Sequence, residues 1–206
     1  MSKVVVFVLL LFQISCFWSK EKKNPFTAVE IKADSVVIQP FDSFSGDKAE
    51  ALAEQLIKRG LKIRIAEAIL LPASAWYAPR KRYRADSLIA YLQRRTPEGK
   101  VTIGLTHKDI SSSNETYADF GIMGLGFKPG KACVVSTFRI KGQNKKEKIG
   151  KVVIHEFGHT RGLSHCPVKT CLMRDAEGKD HLNEETGFCK KCRSILKEKG
   201  YPLKNI

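Results

Sequence analysis

The sequence predicts a single α/β (α+β) domain: a mixed sheet with helices, then a helix carrying a histidine-rich motif, then a small cysteine-rich C-terminal part. Three observations carry this. The runs SVVIQ (35–39), LKIRIAEAILLP (61–72), VTIGLT (101–106) and ACVVSTFRI (132–140) are β-branched or alternating and read as strands. Two segments with apolar residues at helical spacing lie among them, and a third surrounds the histidines. Beyond residue 163 the chain is loop-rich and holds four of the six cysteines.

The elements follow in order. SVVIQ ends at Pro40, which cannot donate to a ladder. SGDKAEALAEQLIKRG (45–60) places Ala51, Ala53, Leu56 and Ile57 on one side of a helix that stops at Gly60. RADSLIAYLQRR (84–95) is a second helix, ended by Thr96–Pro97. TYADFGIMGLG (116–126) is a glycine-interrupted strand, suited to an edge more than a centre. The polar loop KGQNKKEK leads into the helix of KVVIHEFGHTRGL, and KCRSILKEKG closes the chain as a helix. No internal repeat, low-complexity tract or second boundary is visible, so residues 35–206 read as one domain.

Composition excludes disorder, since 43% of residues are apolar and 28% charged. The formal net charge of +15 suits anionic lipid, nucleic acid or acidic peptides as neighbours. The charges are scattered, however, and a solvated basic surface is the simpler reading.

The first twenty residues, MSKVVVFVLLLFQISCFWSK, read as a signal peptide. Lys3 precedes an apolar run (4–12) too short for the roughly 20 residues that span a bilayer. Ser15–Cys16 resembles the lipobox of bacterial lipoproteins, with Gln13 where leucine is usual. In that resemblance Cys16 becomes a lipidated N-terminus; the alternative is an uncleaved hydrophobic anchor or an ordinary cleaved signal. The expectation is an exported protein, either a membrane-anchored lipoprotein or a secreted or periplasmic one, with 21–34 as a polar tether. Membrane anchoring would run through the N-terminal lipid or the hydrophobic segment.

The stretch HEFGHTRGLSHCPVKTC (155–171) crowds three histidines, two cysteines and a glutamate together. His155 and His159 are four apart, so on a helix they share a face and can hold one metal ion. Glu156 is placed to touch a water beside that ion. Gly162 permits a left-handed turn, after which His165 can return as third ligand. Three imidazoles leave the fourth tetrahedral position open, which is how catalytic zinc differs from structural zinc. At average residue usage this five-position pattern arises by chance in about one chain per 10^5 of this length, so coincidence is the weaker reading. His107 and His181 lie outside the pattern and read as ordinary polar histidines.

H-E-x-x-H-x-x-G-x-x-H is the metzincin signature. Its continuation into Cys166, Cys171, Met173 and later Cys189 and Cys192 resembles the archaemetzincin family of zinc metallopeptidases. The resemblance is strongest over 147–192. It implies a zincin-like metalloprotease domain in which His155, His159 and His165 bind catalytic zinc and Glu156 is the general base. Met173 would lie in the Met-turn, as an apolar floor beneath the ligands.

C-x4-C and C-x2-C also supply the four thiolates of a closed structural zinc site. The alternatives are two disulfides in an oxidising compartment and a zinc-ribbon-like nucleic-acid module. The intact histidine pattern and the export signal argue against the latter, so no nucleic-acid partner is expected. Cys133 reads as a small core residue. The expected cofactors are two zinc ions per chain, one catalytic and one structural. The expected function is hydrolysis of peptide bonds in a peptide or protein substrate, by a monomer, as aminopeptidase or endopeptidase. The alternative is a surface-anchored zinc-binding protein with little or no turnover.

Overall fold

A computed structural model describes residues 35–204 apart from 43 and 177. The expected signal segment with Cys16, and the tether through residue 34, lie outside the described residues.

In chain order the elements are β1 (Ser35–Pro40), α1 (Gly46–Lys58), β2 (Lys62–Ile65), β3 (Trp76–Tyr77), β4 (Arg82–Arg84) and α2 (Ala85–Gln93). They continue with β5 (Val101–Thr106), β6 (Ile110–Ser112), β7 (Phe120–Ile122), β8 (Gly124–Gly126), β9 (Ala132–Ser136), α3 (Lys145–Thr160) and α4 (Lys190–Glu198).

The main sheet has the order β2-β1-β5-β9-β8. Four of its strands are parallel, and β8 runs antiparallel to β9 at the edge. Every residue of β5 is buried, as expected of a central parallel strand covered on both faces. Alternation in β9 sorts the two faces. Cys133 and Val135 join the core of α1 and α3, whereas Ala132 and Val134 join that of α2. The result is a layered α/β domain with α3 laid against β8 and β9.

The structure corrects several sequence expectations. In α1 the buried stripe is Ala49, Leu52, Ala53 and Leu56, the true i, i+3, i+4, i+7 set, and Ile57 is exposed. The strand expected over 61–72 ends at Ile65, with only a bridge from Phe41 to Ile69 beyond it. α3 begins inside the supposed loop, because Lys148 and Lys151 are themselves buried and partnered. Lys148 pairs with Asp180 at 2.7 Å, and Lys151 pairs with Glu147 and with the Leu182 carbonyl.

The segment 116–126 is two strands rather than one. β7 belongs to a second sheet of order β3-β4-β6-β7, and after Met123 the chain enters the main sheet as β8. That second sheet was not visible in the sequence. Its polar side is tied by charge: Arg139 grips Asp109 at 2.7 and 2.8 Å, and Arg82 and Arg84 lie against Asp119. Part of the basic excess therefore serves inside the fold.

Candidate active site

α3 carries His155 and His159 one turn apart, with their rings edge to face. Each Nδ1 meets a backbone carbonyl: His155 that of Leu172 at 2.7 Å, His159 that of Leu163 at 2.8 Å. A carbonyl only accepts, so each Nδ1 bears the proton and each Nε2 keeps its lone pair. Those two Nε2 atoms face each other at 3.0 Å.

The helix ends where the motif requires. Gly162 adopts φ +89, and the N–H groups of Gly162 and Leu163 cap the carbonyls of His159 and Gly158. This reversal brings the His165 ring to 5.4 and 4.9 Å from the other two. Nδ1 of His165 lies 2.9 Å from Oδ2 of Asp175. One ligand atom from each of the three histidines falls within 4.8 Å of the others.

Two lone pairs that face each other at 3.0 Å repel, and an arrangement of three is stable around a cation. The donor set therefore suits a zinc ion. Burial lowers the pKa of His155 to about 4, the neighbouring His159 adding to it, and burial lowers that of His159 too. Both rings are thus neutral donors at neutral pH.

Glu156 is the next residue round the helix from His155, and its carboxyl lies against Gly124 of β8. Its carboxyl is buried, and burial pushes its pKa up to about 8, opposed by a hydrogen bond from the Gly126 backbone. The glycines of β8 make this approach possible. A Cβ on Gly124 would stand 2.7 Å from Oε1 of Glu156, and one on Gly126 would stand 2.5 Å from the Glu156 carbonyl oxygen.

Met173 is fully buried, and a Cβ on Gly158 would meet its Sδ at 2.5 Å. It thus lies against the helix between the two histidines. Its carbonyl accepts from Cys166 N–H at 2.8 Å.

Cys166, Cys171, Cys189 and Cys192 place their sulfurs within 4.8 Å of one another. None forms a disulfide, and Sγ of Cys166 and Cys189 are 3.7 Å apart. A disulfide needs about 2.05 Å, while Zn–S bonds of about 2.3 Å in a tetrahedron put sulfurs about 3.8 Å apart. The four residues form a second, closed donor set. Burial opposes ionisation of Cys189, but hydrogen bonds from Cys192, Cys166 and Cys171 hold its pKa down at about 7. Cys133 stands apart in the core, where burial raises its pKa.

The sequence reading placed these residues together but missed two features. Asp175 beside His165 lies outside any motif, and the glycines of β8 were read only as the mark of an edge strand, which β8 is, and not as room for Glu156. His181 sits away from both clusters, 3.3 Å from Glu184.

The fold and the histidine cluster define a metallopeptidase domain of the metzincin type. Comparison with known proteins narrows this. Residues 55–198 match peptidase family M54. The archaemetzincin of Archaeoglobus fulgidus is 32% identical over 171 residues, which cover 79% of this chain and 98% of the relative. That of Haloarcula marismortui is 31% identical over 140 residues, 61% of this chain and 78% of the relative. Among solved structures, the A. fulgidus archaemetzincin complexed with malonate aligns with a TM-score of 0.65 and 27% identity, covering 78% of this chain and 99% of that one. The Methanopyrus kandleri archaemetzincin aligns at 0.69 and 23% identity, covering 83% and 98%, and supports the fold. The chain belongs to peptidase family M54, the archaemetzincins, and is a zinc metallopeptidase.

The same comparisons correct the expected localisation. The matched relatives are archaeal archaemetzincins, and among the described residues no helix is long and apolar enough to cross a membrane. On the ground of those relatives the expected export and lipid anchoring are withdrawn. They rested on a nine-residue apolar run after one lysine and a Ser–Cys pair, with no further motif beside them.

Proposed function

We propose that the chain hydrolyses peptide bonds at a zinc ion held by His155, His159 and His165, with Glu156 as general base. The observation that carries this is the pair of Nε2 lone pairs facing each other at 3.0 Å, each fixed by a carbonyl behind its ring. Bound there, zinc supplies a Lewis acid that brings the pKa of an attacking water toward ~7, polarises the scissile carbonyl and favours ionised Glu156. Glu156 takes the proton from that water and passes it to the leaving amine. The Gly126 backbone holds the carboxylate in place, and Gly124 leaves it room. Met173 forms the floor under the helix. A second zinc, held by the four cysteines, staples the C-terminal part.

Substrate lies along β8, whose outer edge has no neighbouring strand in the main sheet among the described residues. An extended peptide adds there as a further strand above Glu156. Hydrogen exchange checks this placement: a bound peptide inhibitor protects amides of 124–126, and unchanged exchange would remove it. We take the substrate to be a peptide or protein, handled by a monomer.

Cleavage of a peptide library by wild type and Glu156→Ala, with zinc counted in both, tests the reaction. Two zincs in each protein and turnover only in wild type support it. Equal cleavage by both proteins would remove Glu156 from the mechanism.

A further inference from the structure

Each imidazole of the histidine cluster has one ring nitrogen held by an oxygen, but the three oxygens differ in kind. His155 and His159 stand on a helix and meet backbone carbonyls. His165 stands on the loop after Gly162, is exposed, and meets the Asp175 carboxylate at 2.9 Å. We propose that Asp175 is a positioning residue that holds His165 in its ligating orientation. The inference rests on the reading of the three histidines as a zinc site and adds a residue that the signature omits.

The physical need is specific to the third histidine. An exposed side chain on a loop samples several rotamers, and fixing one costs entropy at the moment of ligation. A carboxylate accepting from Nδ1–H settles the ring orientation beforehand. It also settles the tautomer, leaving Nε2 as the nitrogen with the free lone pair.

Asp175 is itself held in register. Arg174 N–H donates to the Cys171 carbonyl at 2.9 Å, forming the turn that precedes Asp175. The Cys166 N–H donates to the Met173 carbonyl at 2.8 Å, joining the segment that carries His165 to the segment that carries Asp175. The rival is an ordinary exposed ion pair, which contributes little to anything. A rotamer lock and a surface pair differ in what they do to zinc.

The test is zinc competition against a chelator of known affinity, on full-length wild type, Asp175→Ala and Asp175→Asn. Visible spectra of the cobalt-substituted proteins report the geometry of the histidine site. Zinc at the cysteine site is the folding control. Asp175→Ala is expected to weaken zinc at the histidine site about 10–100-fold and to alter the cobalt spectrum. Asp175→Asn, which keeps an acceptor for Nδ1–H, recovers most of the affinity. Unchanged affinity in Asp175→Ala would overturn the assignment. Absence of zinc from the histidines of wild type would overturn the zinc reading itself, which is a separate result. Should Asp175→Ala disturb the cysteine site as well, Asp175→Ser is compared with Asp175→Asn. Weaker zinc in the serine variant, whose side chain cannot reach His165, supports the role, and equal affinities overturn it.

Discussion

The backbone N–H of Cys166 donates to the carbonyl of Met173 at 2.8 Å, while the carbonyl one residue earlier, that of Leu172, orients His155 at 2.7 Å. The three-residue strap 171–173 therefore carries a cysteine of one cluster, the carbonyl that fixes a histidine of the other, and Met173, buried against Gly158 of α3. Leu172 N–H is anchored to the Gly187 carbonyl at 3.0 Å, and Cys189 N–H reaches Cys171 Sγ at 3.3 Å, so the strap is held from both sides. Loss of the cysteine site should be felt at the histidines.

Cys192→Ser tests that coupling. It removes one sulfur from a closed set without touching the histidines. Losing a metal bound a thousandfold above its dissociation constant costs about 4 kcal/mol, which for a chain of this size is ~10 °C in melting temperature. The expected result is a drop of that order, together with weaker zinc at the histidine site by competition. A variant that melts like wild type would show that the cysteines hold nothing.

Gly124→Ala should damage turnover and spare metal binding. The added methyl meets Oε1 of Glu156 at 2.7 Å and must displace the carboxyl. A misplacement of that size costs roughly 10²-fold in rate. Steady-state kinetics should show the loss in kcat with zinc content unchanged, and full activity would mean that Glu156 tolerates displacement.

Met173→Ala and Met173→Leu separate packing from chemistry. Met173 is fully buried against Gly158, so truncation to alanine is expected to cost about 2–5 kcal/mol in denaturant unfolding. Leucine, close in volume, should cost under about 1.5 kcal/mol and retain activity. A leucine variant that folds but binds no zinc would give the sulfur a role beyond filling space.

Glu185 gives the fold a pH dependence outside the site. It is 5% exposed, its Oε2 has no hydrogen-bond partner, and burial pushes its pKa up to about 7, opposed by Lys151 and Arg174. The folded value lies above the ordinary 4.5, so the folded chain binds this proton more tightly than the unfolded one. Stability from this group is present below about 4.5 and is lost as pH rises through about 7. Glu185→Gln should therefore gain on wild type in thermal melts as pH moves from 5 to 8. A gap that stays constant with pH would remove the effect.

The parts of the fold that were legible in the sequence are those set by local pattern. The alternation of β5 and the continuous apolar run of β9 mark buried strands, and the spacing of His155, Glu156, His159 and His165 fixes which groups converge once a helix and a glycine turn are granted. Features set by distant partners were not legible. Lys148 read as a loop residue because the aspartate that accepts from it lies 32 positions on. The weak glycine strand of 116–126 gains its meaning from Glu156, against which Gly124 and Gly126 lie. Asp175 gives no signal at all until the Cys166–Met173 hydrogen bond brings it opposite His165. The N-terminal reading was overturned by the matched relatives, which are archaeal archaemetzincins.

His165 and Cys166 are neighbours in the chain, yet their side chains enter different clusters. Diffraction from the zinc-loaded protein at the zinc absorption edge locates each metal directly. Two anomalous peaks are expected, one about 2.0–2.1 Å from a ring nitrogen of each of His155, His159 and His165, the other about 2.3 Å from the four cysteine sulfurs. A single peak shared by His165 and Cys166 would contradict the division into an open catalytic site and a closed structural one.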